Sequence, residues 1–119
     1  MTPSPLVIEV GQTLEDAHAL MARRRIRHLP VVASGRLVGI VSLRDLHLLE
    51  TLKDVEPDSV GVEEAMTPLP YTVRESTPLV DVVKRMARKK LGSVVVVEKR
   101  EVVGVFTTTD ALKLLAELL

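Results

Sequence analysis

Two stretches of the chain place a hydroxyl three residues ahead of a carboxylate where a strand gives way to a helix. They are Gly39-Ile40-Val41-Ser42-Leu43-Arg44-Asp45 and Gly104-Val105-Phe106-Thr107-Thr108-Thr109-Asp110. At a helix N-terminus, free amide N–H groups and the positive end of the helix dipole favour a phosphate. An Asp on the same edge offers two acceptor oxygens, which suit a pair of ribose hydroxyls. Together these groups fit a nucleotide. The same spacing also makes a capping box, in which hydroxyl and acid bond each other's backbone amides. Thr13-x-x-Asp16 repeats the spacing at another helix start, so spacing alone leaves capping and binding both open. The Gly inside each strand costs stability and marks a close backbone approach.

Other reactive types carry less. Arg23-Arg24-Arg25 and Arg88-Lys89-Lys90 fall at expected helix C-termini, where positive charge relieves exposed carbonyls; attraction of phosphate or RNA is the alternative. His18, His28 and His47 are scattered along the chain, with no second ligand at metal spacing, so no metal site is expected. No nucleophile–base pair, nucleophile elbow, Walker loop or dinucleotide fingerprint occurs. An enzyme is not expected, and neither is a cofactor.

Composition narrows the class. Sixteen basic and 16 acidic residues give no net charge over 119 residues, which argues against nucleic acid or an anionic membrane as partner. Stacking aromatics are nearly absent, with one Tyr, one Phe and no Trp, a further argument against RNA or DNA. The core must therefore be aliphatic, as in buried sheets flanked by helices. Without Cys there are no disulfides or thiolate metal sites. No apolar run approaches the roughly 20 residues of a membrane span. Met1–Pro5 does not open a signal peptide, and a soluble cytoplasmic protein is expected.

The elements that position the two hydroxyl–acid pairs come from a duplication. Shifted by 65 positions, Met66-Thr67-Pro68 falls on Met1-Thr2-Pro3, Met86-Ala87-Arg88 on Met21-Ala22-Arg23, and Asp110 on Asp45. Each copy reads β-α-β-β-α. A short extended piece (Leu6–Val10; Tyr71–Val73) leads to an amphipathic helix. In the first copy this helix runs over Leu14–Arg24; in the second it runs from Leu79 through Val82, Val83 and Met86. Thr77-Pro78 is a start signal, with Pro at the first helical position. Strands follow at Leu29–Val32 and Leu37–Val41, joined by a turn at Ser34-Gly35-Arg36. The second copy turns at Glu98–Glu101 without Gly, which predicts a turn that avoids positive φ. Closing helices begin near Leu43 and Thr108. Residues 1–58 form repeat 1 and 59–119 repeat 2, linked through Val55–Glu64. A unit of this size is marginal alone, so the copies are expected to pack their sheets together, share a core and form two equivalent clefts. Leu112, Leu115 and Leu119 make one stripe on the last helix; Ala111, Leu114 and Leu118 make another. One stripe suits the core and the other a partner surface, which predicts a homodimer.

Ile26-Arg27-His28-Leu29-Pro30-Val31-Val32 followed by Val38-Gly39-Ile40-Val41-Ser42-x-x-Asp45 resembles a cystathionine-β-synthase-type (CBS) repeat. Leu91-Gly92-Ser93-Val94-Val95-Val96-Val97 with Val103-Gly104-Val105 and Thr107-x-x-Asp110 resembles a second, and Ala65-Met66-Thr67-Pro68 is similar to the usual opening of one. The resemblance spans the chain, and no fused enzyme is expected. It implies an α/β (α+β) fold of two tandem repeats packed with pseudo-two-fold symmetry, a free-standing regulatory module. It also implies binding of adenosine-containing ligands: AMP, ADP, ATP or S-adenosylmethionine. Carried over, one site joins Thr107, Thr109 and Asp110 with Leu6, Ile26, Arg27 and Pro30. The other joins Ser42, Arg44 and Asp45 with Tyr71, Leu91 and Gly92. The sites are expected to differ in affinity, because Arg44 offers a cation where Thr109 offers a hydroxyl. A scaffold without ligand, in which the Asp residues only cap helices, is the competing reading. Either way an unidentified protein partner would read the module.

Overall fold

In the computed structural model, residues 2–3, 6–52 and 55–119 are described, residues 2–3 by backbone alone. The elements are β1 (Thr2–Pro3), β2 (Ile8–Glu9), α1 (Leu14–Arg24), β3 (His28–Ala33), β4 (Arg36–Ser42) and α2 (Leu43–Glu50). A 3₁₀ turn at Val62–Glu64 leads to β5 (Thr67–Pro68), β6 (Thr72–Val73), α3 (Leu79–Lys89), β7 (Ser93–Glu98), β8 (Glu101–Thr107) and α4 (Thr108–Leu118). The fold is mixed α+β, with four helices and two four-stranded sheets. Among the described residues, no helix is long and apolar enough to cross a membrane.

Two compact units form. One comprises Leu6–Pro70; the other comprises Tyr71–Leu119 with the Thr2–Pro3 strand. In the first, the sheet runs β2-β3-β4-β5; in the second, β6-β7-β8-β1. β2 pairs parallel with β3 and β6 with β7, as a helical crossover dictates, while the hairpins β3–β4 and β7–β8 are antiparallel. Registers repeat as the sequence does: Ile8 faces Val31 and Val73 faces Val96, with bulges after Val31 and Val96.

The compact units are cut differently from the sequence repeats 1–58 and 59–119. Each Met-Thr-Pro opening adds the fourth strand to the other copy's sheet. Gly39 pairs with Pro68 in one unit, and Gly104 with Pro3 in the other. Pro has no amide to donate, so such short segments suit a sheet edge. The Gly inside β4 is explained by this contact. A Cβ on Gly39 would run into Met66 Sδ and lie 3.0 Å from the Thr67 carbonyl. The close backbone approach is therefore made by β5.

Apolar spacing selects the core. Leu14, Ala17 and Met21 of α1 pack with Ile8, Leu29, Val31, Val41 and Leu46. The link after α2 belongs to this unit as well. Val62 is fully buried, Val60 accepts the Leu14 amide at 2.9 Å, and Gly61 bridges Thr13. In the other unit Val82 and Met86 of α3 pack with Val73, Val94, Val96 and Phe106, while Leu79 stays 47% exposed.

α3 starts at Leu79, as the apolar spacing predicts, with Pro78 as its N-cap rather than its first helical residue. Two further local expectations are corrected. The second hairpin does not avoid positive φ. Lys99 (49°) and Arg100 (68°) take the left-handed conformation of Ser34 (51°) and Gly35 (81°). A two-residue hairpin must match the right-handed strand twist, and that geometry overrides residue preference. Finally, neither stripe of α4 is buried; the helix touches its unit's core mainly through half-buried Ala111.

Candidate functional site

The hydroxyl–acid pairs sit where β4 meets α2 and where β8 meets α4. Both are complete capping boxes. The Ser42 amide donates to Asp45 Oδ2 at 2.8 Å, and the Asp45 amide donates to Ser42 Oγ at 3.1 Å. The Thr107 amide donates to Asp110 Oδ2 at 2.9 Å, and the Asp110 amide to Thr107 Oγ1 at 3.2 Å. Thr13 and Asp16 do the same, on an exposed surface. Capping is thus common to all three pairs. The two at strand ends differ in being half-buried.

The remaining first-turn amides reveal what is left for a ligand. The Leu43 amide donates to the Arg27 carbonyl at 2.9 Å, and the Thr108 amide to the Gly92 carbonyl at 3.1 Å. That leaves the amides of Arg44 and Thr109 as the first-turn N–H groups without a partner among the described residues. The helix ends are therefore not open clusters of donors. Each offers one N–H, on the very residue whose side chain distinguishes the two sites. At Asp45 the cap uses Oδ2, and among the described residues no hydrogen bond ends on Oδ1. Capping and a further contact are compatible there.

These bonds tie each pair to the start of its own hairpin. His28 is registered with Ser42, and Ser93 with Thr107. In one unit the structure thus gathers Ser42, Arg44 and Asp45 beside Ile26 and Arg27. Arg44 and Arg27 are exposed and Ile26 is half-buried. Leu6 is half-buried ahead of β2; Pro30 is fully buried opposite Ile40 in the sheet. In the other unit Thr107, Thr109 and Asp110 lie beside Leu91 and Gly92, with Thr109 and Gly92 exposed. Tyr71 is half-buried before β6, its carbonyl accepting the Val95 amide at 3.0 Å.

Sequence reasoning missed three groupings. Arg85 stacks its guanidinium 4.6 Å from the centre of the Tyr71 ring, an attraction between cation and π face. Arg74 and the Glu75 amide both hold Glu98 (3.3 and 2.8 Å). The Glu75 N–H first, then the Arg74 guanidinium, pull the Glu98 carboxyl below the usual carboxylate range. And the histidines are not all scattered: His18 and His47 come within 5.7 Å between ring centres, beside Glu50. Among the described residues, no three His, Cys, Asp or Glu side chains are placed to hold a metal ion. Arg25 and Lys90 end their helices in left-handed conformation, their amides bonded to the carbonyls of Met21 and Met86.

Comparison with known proteins places this geometry. The family model described as CBS domain matches residues 1–49 and 62–117. The sequence is 31% identical over 112 residues to a homoserine O-acetyltransferase of Methanohalobium evestigatum, covering 92% of this chain and 22% of that protein. The chain spans less than half the length of this and other curated relatives it matches. Among solved structures it superposes on the CBS domain pair of protein MJ0100, in complex with 5′-methylthioadenosine and S-adenosyl-L-methionine. The TM-score is 0.89 at 26% identity, covering 100% of this chain and 94% of that one. The structure of CBSX2 in complex with AMP matches with TM-score 0.79 at 27% identity, covering 99% and 93%.

Proposed function

We infer that this chain, which belongs to the CBS domain family, is a regulatory module that senses an adenosine-containing ligand and carries no catalytic centre. One observation carries the reading. Two CBS pairs that match it over nearly their whole length hold S-adenosyl-L-methionine with 5′-methylthioadenosine, or AMP. The half-buried hydroxyl–acid pairs support it, since each keeps one first-turn amide without a partner among the described residues.

In this reading Asp45 and Asp110 grip ribose hydroxyls. Ser42 and Thr107, with the Arg44 and Thr109 amides, meet phosphate or its equivalent. Thr107, Thr109 and Asp110 work with Leu6, Ile26, Arg27 and Pro30; Ser42, Arg44 and Asp45 work with Tyr71, Leu91 and Gly92. The Arg44 cation strengthens its site for multiply charged phosphates relative to the Thr109 site. Binding acts on a protein partner by favouring one conformation, to the extent of the ligand's differential affinity. The module works in the cytoplasm as a homodimer, for which the exposed leucines of α4 are the support.

A thermal-shift screen with AMP, ADP, ATP, S-adenosylmethionine and GTP tests this. A ligand at about 100 times its Kd stabilises by roughly 2.7 kcal/mol. The expected result is a rise with one adenosine compound that is lost in a variant carrying both Asp45→Ala and Asp110→Ala. Asp16→Ala, which removes only a cap, keeps it. No rise at millimolar ligand overturns the sensor reading in favour of a scaffold.

A further inference from the structure

The β7–β8 hairpin has two chemically different ends. At one, Ser93 is registered with Thr107 and the closing helix begins; at the other, Glu98 faces Glu101 across the Lys99-Arg100 turn. About 17 Å of extended chain separates them. At the turn end lies a pocket of about 380 Å³, lined by Arg74, Thr77, Lys99 and Arg100 and bordered by Tyr71. The charged residues in its lining are all cations. Glu75, Glu98 and Glu101 are close in sequence, yet none of them lines it. Glu98 instead accepts from the Arg74 guanidinium at 3.3 Å and the Glu75 amide at 2.8 Å, which orients Arg74. Lys99 and Arg100 add two exposed charges. The Thr77 hydroxyl accepts the Arg74 amide at 3.0 Å and can still donate its own proton.

The first copy shows that the fold does not require these charges. At the duplication offset, Glu9, Gln12, Ser34 and Gly35 stand in place of Arg74, Thr77, Lys99 and Arg100. Both hairpins nevertheless make the same left-handed turn. Arg100, at φ 68°, takes it at a conformational cost that Gly35 does not incur. Strain of this kind concentrates where a side chain has a use.

We propose that the pocket binds a small polyanion, a ligand bearing a di- or triphosphate, at a site apart from the Thr107–Asp110 pair. Two guanidinium groups offer planar forks to phosphate oxygens, and the Lys99 ammonium adds a point charge. The volume falls within the about 300–1,000 Å³ of small-molecule sites, which favours a compact ligand over an acidic protein segment.

Equilibrium dialysis of the whole chain with radiolabelled pyrophosphate and tripolyphosphate tests this. The decisive variant carries Lys99→Ser with Arg100→Gly, the residues of the first copy's turn. It removes two charges and keeps a turn this fold already makes; its melting temperature without ligand confirms folding. The parent is expected to bind, and the variant's Kd to rise about 100-fold, about tenfold for each charge-assisted contact. Since Tyr71 also enters the nucleotide reading, Arg44→Ala separates the two sites: it should leave this Kd unchanged. Unaltered binding by the hairpin variant overturns the proposal. So does loss of binding in Arg44→Ala, which would assign the anion to the nucleotide site. No binding of either anion at millimolar concentration overturns it as well, and capture of a poly-glutamate peptide but not pyrophosphate would make the pocket a protein-docking surface instead.

Discussion

His18 and Glu50, which lie far apart in sequence, meet at 2.5 Å and tie α1 to α2. Their counterparts Val83 and Leu115 sit in an open groove. One duplicated scaffold therefore closes a helix pair with a polar clasp in one copy and leaves it apolar in the other. A double-mutant cycle with His18→Ala and Glu50→Ala should give a coupling of about 1 kcal/mol at neutral pH, within the range for partly exposed, hydrogen-bonded pairs. Urea melts of the four proteins measure it; additivity would show that the contact contributes nothing.

The three capping boxes separate stability from binding. Replacing Asp16, Asp45 or Asp110 by Ala should each cost about 1 kcal/mol, because each side chain bonds an N-cap amide. Denaturant unfolding checks the size. If the reading of the sites holds, only the latter two also lower ligand affinity in calorimetry.

Gly39 lies against β5. Gly39→Ala should destabilise by about 1–3 kcal/mol, the cost of overpacking, since the new methyl meets the Met66 side chain and the Thr67 carbonyl. Adding Met66→Ala should recover only part of the loss, as the Thr67 carbonyl at 3.0 Å is backbone. Full recovery would assign the whole strain to the methionine.

Arg100 stands where the first hairpin has Gly35, at φ 68°. Arg100→Gly should therefore stabilise by about 0.5–1 kcal/mol through relief of left-handed strain, less the entropy Gly adds to the unfolded chain. The melting temperature should rise by a few degrees; a fall would mean that Arg100 makes a compensating contact.

Glu98 gives the pH dependence. The Glu75 amide and Arg74 lower its folded-state pKa, so the folded state favours the carboxylate. The contribution is present above the ordinary carboxylate range and lost as pH falls through the lowered folded value. Glu98→Gln should be slightly less stable than the parent at pH 7, with the difference vanishing in acid. Melting curves from pH 7 downward read this.

Much of the architecture was legible because it depends on period and offset. The helix starts at Leu14, Leu43 and Thr108 and the strand pairs around Val31 and Val96 follow from apolar spacing repeated at one interval. What escaped is what spacing does not encode. β1 and β5 are two residues long and contain Pro, too short for alternation to register. The Lys99-Arg100 turn is imposed by strand twist against residue preference. The meeting of His18, His47 and Glu50 depends on how α1 crosses α2, which no linear pattern states. At the hydroxyl–acid pairs the sequence held capping and binding in balance. The structure shows the caps made, with the Arg44 and Thr109 amides left over among the described residues.

The pairing of Thr2–Pro3 with Val105 and Gly104 bears on how the chain is made. During synthesis Thr2 and Pro3 leave the ribosome well before β8 does, and their strand stays unpaired until β8 emerges. The Leu6–Pro70 unit holds all its strands once Pro70 is out and can fold on the ribosome, whereas the other cannot complete its sheet until β8 has emerged. Vectorial synthesis thus orders the two halves in time. A nick in the linker would not yield two independent products, since the fragment carrying Tyr71–Leu119 would leave its fourth strand behind on the other piece.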